Sequence, residues 1–259
     1  MSTSDKDDEL AGTEAPFVSH LIELRDRMIR ALIAVGIAFG ALMLWPGAGA
    51  LYDLLAAPLA KHLPQGATLI ATSVITPFLV PLKITLMGAF LIALPVVLYQ
   101  VWAFVAPGLY SHEKKMVLPL VISSTILFLV GVAFVYFIVI PGLASFIQAV
   151  APASITAAPD VEEYFGFVLT LFLVFGIAFE VPIAVIVLVR IGVVSIEQLK
   201  KARGYFIVGA FIVAAVVTPP DVISQLSLAV PMCLLYEGGI IAARLFVKHT
   251  KAPEEAADA

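Results

Sequence analysis

Long apolar blocks are the feature that most constrains how this chain can fold. Hydrophobic residues make up 61% of the 259 residues and charged residues only 13%, whereas a soluble domain is about half apolar and about a quarter charged. A helix needs about 20 apolar residues to cross roughly 30 Å of hydrocarbon. Six blocks are candidates for such helices, at about 28–45, 77–105, 116–140, 164–189, 204–217 and 222–246. The sequence therefore predicts an all-α membrane protein with six transmembrane helices.

The fifth block is too short for an ordinary span. Its roughly 14 residues correspond to about 21 Å of helix, so either the bilayer thins there or neighbouring helices shield it. A re-entrant pair in place of the last two spans is the alternative. Prolines inside the blocks predict kinked helices and a concave bundle; they are Pro81, Pro95, Pro119, Pro182 and Pro231.

Positive charge predicts the orientation. Thirteen of the fifteen Lys and Arg lie before or at the start of the first block, between the second and third, between the fourth and fifth, or towards the C-terminus. Only Lys61 and Lys83 lie on or near the other side. The positive-inside rule then puts both termini on the cytoplasmic side of the membrane. The acidic residues 1–16 and the last residues, 247–259, are expected to be cytoplasmic tails, the first of them disordered. A net charge of −4 argues against nucleic-acid binding.

Residues 17–27, FVSHLIELRDR, predict an amphipathic helix that leads into the first span at the membrane interface. On a helical wheel, Glu23 and Arg27 share the polar face, where a local i,i+4 pair would contribute about 0.2–0.5 kcal/mol. Arg25 falls inside the apolar arc, so it is expected to turn inward against a partner helix or a backbone carbonyl. Two interpretations of Glu23 therefore remain: it serves only as the local partner of Arg27, or it also has a functional role.

Glu113 lies in the loop APGLYSHEKK, residues 106–115, which is predicted to be on the same side as Glu23. It can be an ordinary solvated carboxylate balanced by the two lysines that follow it. The stretch HEKKM begins like the zinc-protease motif HExxH, but Met116 takes the place of the second histidine. The loop therefore predicts no metal site.

Glu180 is a carboxylate well inside the fourth apolar block, in VFGIAFEVPI. Such residues are costly in a membrane, and they usually face a bundle interior or a wet cavity. The structural alternative is a protonated glutamate that hydrogen-bonds to a neighbouring helix. Pro182 follows and is expected to interrupt the helix next to it. Glu237, in the sixth block, either joins this polar region or hydrogen-bonds across the bundle. Asp221 is expected to cap the sixth helix.

Several blocks together resemble one known family. HLIELRDRMIR (20–30), SVITPF (73–78), LYQVWAFVAPGLYSHEKK (98–115), FGIAFEVP (175–182) and TPPDVISQ (218–225) are similar to the signature stretches of TatC, the multi-spanning core subunit of the twin-arginine translocase. The resemblance covers nearly the whole chain in order.

The resemblance implies a function that is not enzymatic. TatC proteins bind twin-arginine signal peptides of folded cargo and work with the single-span partners TatA and TatB, and transport draws on the proton-motive force. The resemblance also implies a location in a bacterial cytoplasmic (inner) membrane and self-association within the bilayer. No cofactor is expected, and the chain lacks a GxxxxGK[ST] phosphate loop.

The resemblance also implies roles for single residues. Glu23 and Glu113 match the signal-binding glutamates, and Glu180 matches the family's intramembrane glutamate. Residues implied to support recognition or transport also include Arg25, Pro58, Phe104, Asp221 and Gln225.

The sequence leaves other function classes open. A proton-coupled small-solute transporter with Glu180 as its protonation site is the main alternative, although no internal repeat supports it. An intramembrane enzyme is disfavoured because the chain has no GxSxG, no HExxH and no paired intramembrane aspartates. A scaffold for partner helices would not bind signal peptides by itself.

Overall fold

The computed structural model describes residues 3–60, 69–105, 117–150, 160–218 and 222–246. Side chains are described for residues 18–57, 69–105, 117–146, 160–218 and 222–245. Within these ranges helices are the regular elements, and the only strand-like feature is an isolated bridge between Ile70 and Asp160. The all-α fold class is therefore confirmed.

Ten α-helices follow one another in the described part of the chain. They are α1 (Thr3–Leu44), α2 (Ala48–Ala60), α3 (Thr76–Val105), α4 (Val117–Phe134), α5 (Ile140–Val150), α6 (Val161–Phe179), α7 (Val181–Arg190), α8 (Ile196–Lys201), α9 (Arg203–Val217) and α10 (Val222–Phe246). A π-helical turn, Val135–Val139, joins α4 to α5. The helix α2 lies between the first and second predicted spans.

Among the residues that the structure describes, five helical stretches are long and apolar enough to cross a membrane. They are Val18–Leu44, Thr76–Val105, Val117–Phe146, Val161–Arg190 and Val222–Leu245. The helix α9 is apolar but shorter, as the sequence predicts for the fifth block. Because α10 alone is long enough to span, the structure disfavours a re-entrant pair in place of the last two spans.

The third helical stretch is longer than the sequence predicts. The helix continues beyond Ile140 to Val150, although Pro141 lies there. Proline is tolerated in the first turn of a helix, where its missing N–H has no partner to lose. The π-helical turn just before α5 gives Pro141 this position.

The N-terminal helix α1 begins at Thr3, inside the segment whose composition predicts disorder. Disorder of this tail in solution stays a prediction.

Pro182 breaks the fourth span as expected. The helix α6 ends at Phe179 and α7 begins at Val181, with Glu180 between them at φ −76° and ψ −16°. The Glu180 N–H turns back to the carbonyl of Ile177 at 3.0 Å, which tightens the end of α6. The break holds a carboxylate side chain at a point where the backbone is also irregular.

The bundle is held together by close packing of helix pairs. The main contacts are between α1 and α3, between α4 and α6, and between α7 and α10. Phe165 and Phe175 on α6 are fully buried. Gly131 on α4 lets that helix approach α6, because a Cβ there would lie 2.8 Å from the carbonyl oxygen of Phe175. Helices broken and packed in this way form the bundle, and its concave shape stays a prediction.

Candidate functional site

The polar face of α1 carries the candidate signal-binding glutamate. The Glu23 Oε1 atom accepts hydrogen bonds from Arg27 Nε at 2.9 Å and from Arg27 Nη2 at 2.6 Å. The local pair that the sequence allows is therefore present. The other oxygen, Oε2, faces His20 Nδ1 at 3.9 Å, which is too long for a hydrogen bond. Since the Glu23 side chain is 37% exposed, its second oxygen is available as an acceptor.

An aromatic contact joins this face to the end of α3. The rings of His20 and Phe104 stack with centroids 4.3 Å apart and planes 19° apart. Phe104 is the penultimate residue of α3. Glu113 lies outside the described residues, so its distance from Glu23 is not part of the described geometry. His20 was not predicted as a member of the site, although its position three residues before Glu23 is a signal.

The expectation for Arg25 is wrong. Its side chain is 66% exposed, and its guanidinium donates to Asp26 Oδ1 from Nε at 3.0 Å and from Nη2 at 2.8 Å. A charge-assisted bond to a carboxylate is strong, and turning inward would exchange it for a costly desolvation of the guanidinium. The helical wheel ignores this neighbour because adjacent residues point in different directions.

The intramembrane Glu180 has an unusual environment. Both of its carboxyl oxygens are buried, and neither has a hydrogen-bond partner in the described part of the chain. The hydroxyl of Ser124 on α4 lies near enough to act on the carboxyl but does not complete a hydrogen bond of good geometry. The Ser124 oxygen itself accepts from the indole Nε1 of Trp102 at 2.9 Å. A buried carboxyl without partners needs either a proton or an incoming donor.

Trp102 and Ser124 were not expected from the sequence. They connect α3 to α4 on the side where α6 breaks at Glu180. The signal was present as an indole and a hydroxyl inside otherwise apolar helices. Nothing in the sequence indicates that these two groups, which lie in different spans, contact each other, so their hydrogen bond could not be predicted.

The contact that the structure describes for Gln225 is with α9 and not with Glu180. Its Nε2 donates to the carbonyl oxygen of Phe211 at 3.3 Å and so links α10 to α9. Asp221 lies outside the described residues. Pro58 belongs to α2, but its side chain lies outside the described part.

Glu237 hydrogen-bonds across the bundle, which was one of its two predicted roles. Arg203 at the start of α9 donates from Nε to Oε1 and from Nη2 to Oε2, both at 2.7 Å. This arrangement is a forked, two-bond ion pair of the kind arginine forms with carboxylates. It ties α9 to α10 at the ends remote from Gln225.

A second polar cluster lies at the start of α6. Asp160 caps α6 with Oδ1, which accepts from the N–H groups of Glu162 and Glu163 at 2.7 and 3.1 Å. Its Oδ2 accepts from the hydroxyl of Thr72 at 2.6 Å. The Thr72 hydroxyl and the Glu163 N–H hold the pKa of Asp160 below its usual range. Lys83 pairs with Glu162 at 2.9 Å, so this cluster joins the segment before α3 to α6.

An apolar groove of about 560 Å³ lies between the third helical stretch and α10. Phe134, Ile138 and Leu143 form one wall, and Ile223 and Pro231 belong to the other. Among the described residues, no group of three or more His, Cys, Asp or Glu side chains is arranged to hold a metal ion.

Comparison with known proteins identifies the family of this chain. Residues 19–231 match the family model described as Sec-independent protein translocase protein (TatC). The TatC protein of Halothiobacillus neapolitanus is 49% identical over 234 residues, which are 90% of this chain and 63% of that protein. This chain thus spans less than two thirds of the length of that relative.

Two further relatives match over nearly their whole length. The TatC protein of Escherichia coli (strain K12) is 46% identical over 240 residues, which are 93% of this chain and 92% of that protein. A crystal structure of TatC, described as a twin-arginine translocase receptor, superposes with a TM-score of 0.77 at 42% identity. It covers 88% of this chain and 100% of its own. The chain therefore belongs to the TatC family and is a multi-pass membrane subunit of the Sec-independent protein translocase.

Proposed function

We propose that this chain binds the twin-arginine signal peptides of folded proteins and that Glu23 and Glu113 accept the two arginines. With TatA- and TatB-type partners it supports export driven by the proton-motive force, with both termini in the cytoplasm. The observation that carries the proposal is the Glu23 carboxylate, which is exposed and has one oxygen held by Arg27 and one oxygen available.

A single carboxylate is not enough for this task. Arg27 already balances the charge of Glu23, and an exposed ion pair contributes only about 0–1 kcal/mol. A second carboxylate from Glu113 supplies the missing charge and a second forked acceptor. The His20–Phe104 stack supports this pairing, because the segment that carries Glu113 begins two residues after Phe104.

The preference for arginine over lysine follows from the shape of the two cations. A guanidinium is planar and presents its N–H groups as a fork, whereas an ammonium is a compact point charge. Two carboxylates that each take a forked donor therefore discriminate between the two residues. Arg25, Pro58, Asp221 and Gln225 are proposed to support recognition or transport from outside this contact.

Binding of a twin-arginine signal peptide to the full chain in detergent tests the proposal. A peptide in which both arginines are replaced by lysine is measured beside it. Both peptides are then measured on Glu23→Ala and Glu113→Ala. Glu197→Ala is the matched control, since Glu197 is an exposed carboxylate on α8 in another Lys- and Arg-rich segment.

We expect the chain to prefer the arginine peptide and both variants to lose that preference, while the control keeps it. Export of a folded reporter should fall in the same two variants although the protein still inserts. Normal binding and normal export in both variants would refute the assignment of these glutamates.

We also propose that Glu180 receives polar groups of partner helices in the membrane. Its two buried oxygens without hydrogen bonds support this role, because an incoming donor would satisfy them. The same bundle contains the broken fourth span, where Glu180 lies, and the helix α9, which is too short for an ordinary span. A proton-coupled solute transporter, the main alternative from the sequence, is disfavoured by the family to which the chain belongs.

Disulfide cross-linking to single-cysteine partner helices tests this second role. Cys233 is first replaced, since it is the only cysteine of the chain. Glu180→Ala should weaken the cross-links. Thr170→Val is the control, because Thr170 is on the same helix and its hydroxyl bonds to its own helix at Gly166 O, 2.8 Å away. Unchanged cross-links in Glu180→Ala would count against the role.

A further inference from the structure

The ring of His20 combines three features beside the Glu23 carboxylate. One face is covered by Phe104, with centroids 4.3 Å apart. The edge at Nδ1 faces Glu23 Oε2 at 3.9 Å. The side chain is nevertheless 52% exposed, so much of the ring that Phe104 does not cover is open.

An arginine that approaches Glu23 Oε2 meets this open ring. A guanidinium stacks well on aromatic faces, because it is planar and weakly hydrated, and it still has N–H groups at its edge for an acceptor. A lysine ammonium keeps its water and cannot stack as a plane. The acceptor and the ring lie side by side on α1, three residues apart, which is the spacing at which helical side chains are neighbours.

We propose that His20 is a specificity-determining residue of the signal site. One signal arginine stacks on the open face of its ring while donating to Glu23 Oε2. Phe104 holds the ring in place from the other side. The proposal rests on the proposed function, because it requires that Glu23 receives a signal arginine.

The competing explanation is that the His20–Phe104 stack only fastens α1 to α3. The two explanations differ in what must replace the histidine. A packing role needs apolar bulk, which both phenylalanine and leucine provide. A stacking role needs a flat aromatic face, which only phenylalanine provides.

The test is the ratio of the dissociation constants of the twin-lysine and twin-arginine peptides, measured on the full chain and on His20→Phe and His20→Leu. Because both peptides are measured on the same sample, the ratio does not depend on how much protein is active. We expect His20→Leu to lower the ratio roughly 3- to 30-fold, the range of one cation–π contact, and His20→Phe to retain it. His20→Met, which also keeps apolar bulk without a ring, replaces His20→Leu if the latter does not fold.

Three results would overturn the proposal. A ringless variant that keeps the ratio of the unaltered chain would show that the ring is not used. A His20→Phe variant that loses as much as His20→Leu would show that a flat face is not what matters. In either case a loss of preference in Glu23→Ala would leave the proposed function intact. If the unaltered chain shows no preference for arginine, both proposals fail together.

Discussion

Two neighbouring glycines of α10 provide a sharp test of how the bundle is packed. Gly239 lies against α7, and a Cβ added there would be 2.9 Å from the Cα of Pro182 and 3.2 Å from the Cβ of Val185. At Gly238 an added Cβ would meet nothing within 4 Å. We therefore expect Gly239→Ala to destabilise the protein relative to Gly238→Ala.

The magnitude follows from two opposing effects. Replacing glycine by alanine in a helix gains about 0.8–1.0 kcal/mol of helix propensity. Adding a carbon to a tightly packed contact costs about 1–3 kcal/mol, and here the nearest atom belongs to backbone, which cannot rotate away. The propensity gain is nearly the same at both positions of α10, so the two variants should differ by the packing cost alone, about 1–3 kcal/mol.

The assay is the unfolding free energy of both variants in the same detergent. Gly238→Ala is expected to be as stable as the unaltered chain or slightly more stable. Equal stability of the two variants, or a more stable Gly239→Ala, would refute the tight contact between α10 and α7. Because Pro182 lies two residues after Glu180, export and partner cross-links in Gly239→Ala should also be reduced.

Three further predictions concern single polar contacts. Tyr236→Phe should cost about 0.5–1.5 kcal/mol of unfolding free energy, because the buried hydroxyl donates to Leu199 O at 2.8 Å; no change would contradict that bond. Asp160→Ala should lower the melting temperature at neutral pH. The pKa of Asp160 is lowered in the folded protein, so its contribution is complete above about pH 4 and is lost as the pH falls through the folded-state pKa; a difference from Asp160→Ala that persists in strong acid would contradict this. The Arg203–Glu237 pair is 46% and 40% exposed, so a double-mutant cycle should give a coupling of only about 0–1 kcal/mol, and a coupling well above that would show that the pair is shielded.

The contacts within α1 show where sequence reasoning succeeds and fails. The Glu23–Arg27 bond was one of two predicted possibilities, because i,i+4 neighbours meet on any helix. Arg25 was assigned wrongly, because the periodicity of a helix describes faces and not the reach of a long side chain to its neighbour Asp26. The stack of His20 on Phe104 was not predicted, since these residues meet only when α1 and α3 pack together.

The fourth span shows the same division. Pro182 predicted the break at Glu180, because proline removes a helical hydrogen bond wherever it stands. Which groups surround the carboxyl could not be predicted. Ser124 approaches it, and the oxygen of this serine accepts a hydrogen bond from Trp102 on another helix.

The sequence by itself determined that this is an all-α membrane protein with a short fifth span, that it belongs to one family of translocase subunits, and that Glu23, Glu113 and Glu180 are the carboxylates to examine. These features depend on local composition, helical periodicity and motifs, which the chain carries residue by residue. Only the tertiary structure decided that Glu237 pairs with Arg203, that Gly239 packs on Pro182 and that His20 stacks on Phe104. Each of these contacts joins two different helices through residues far apart in the sequence, and many partners of similar chemistry are available to each side chain. The choice among them depends on how whole helices pack, to which every buried side chain contributes a small amount.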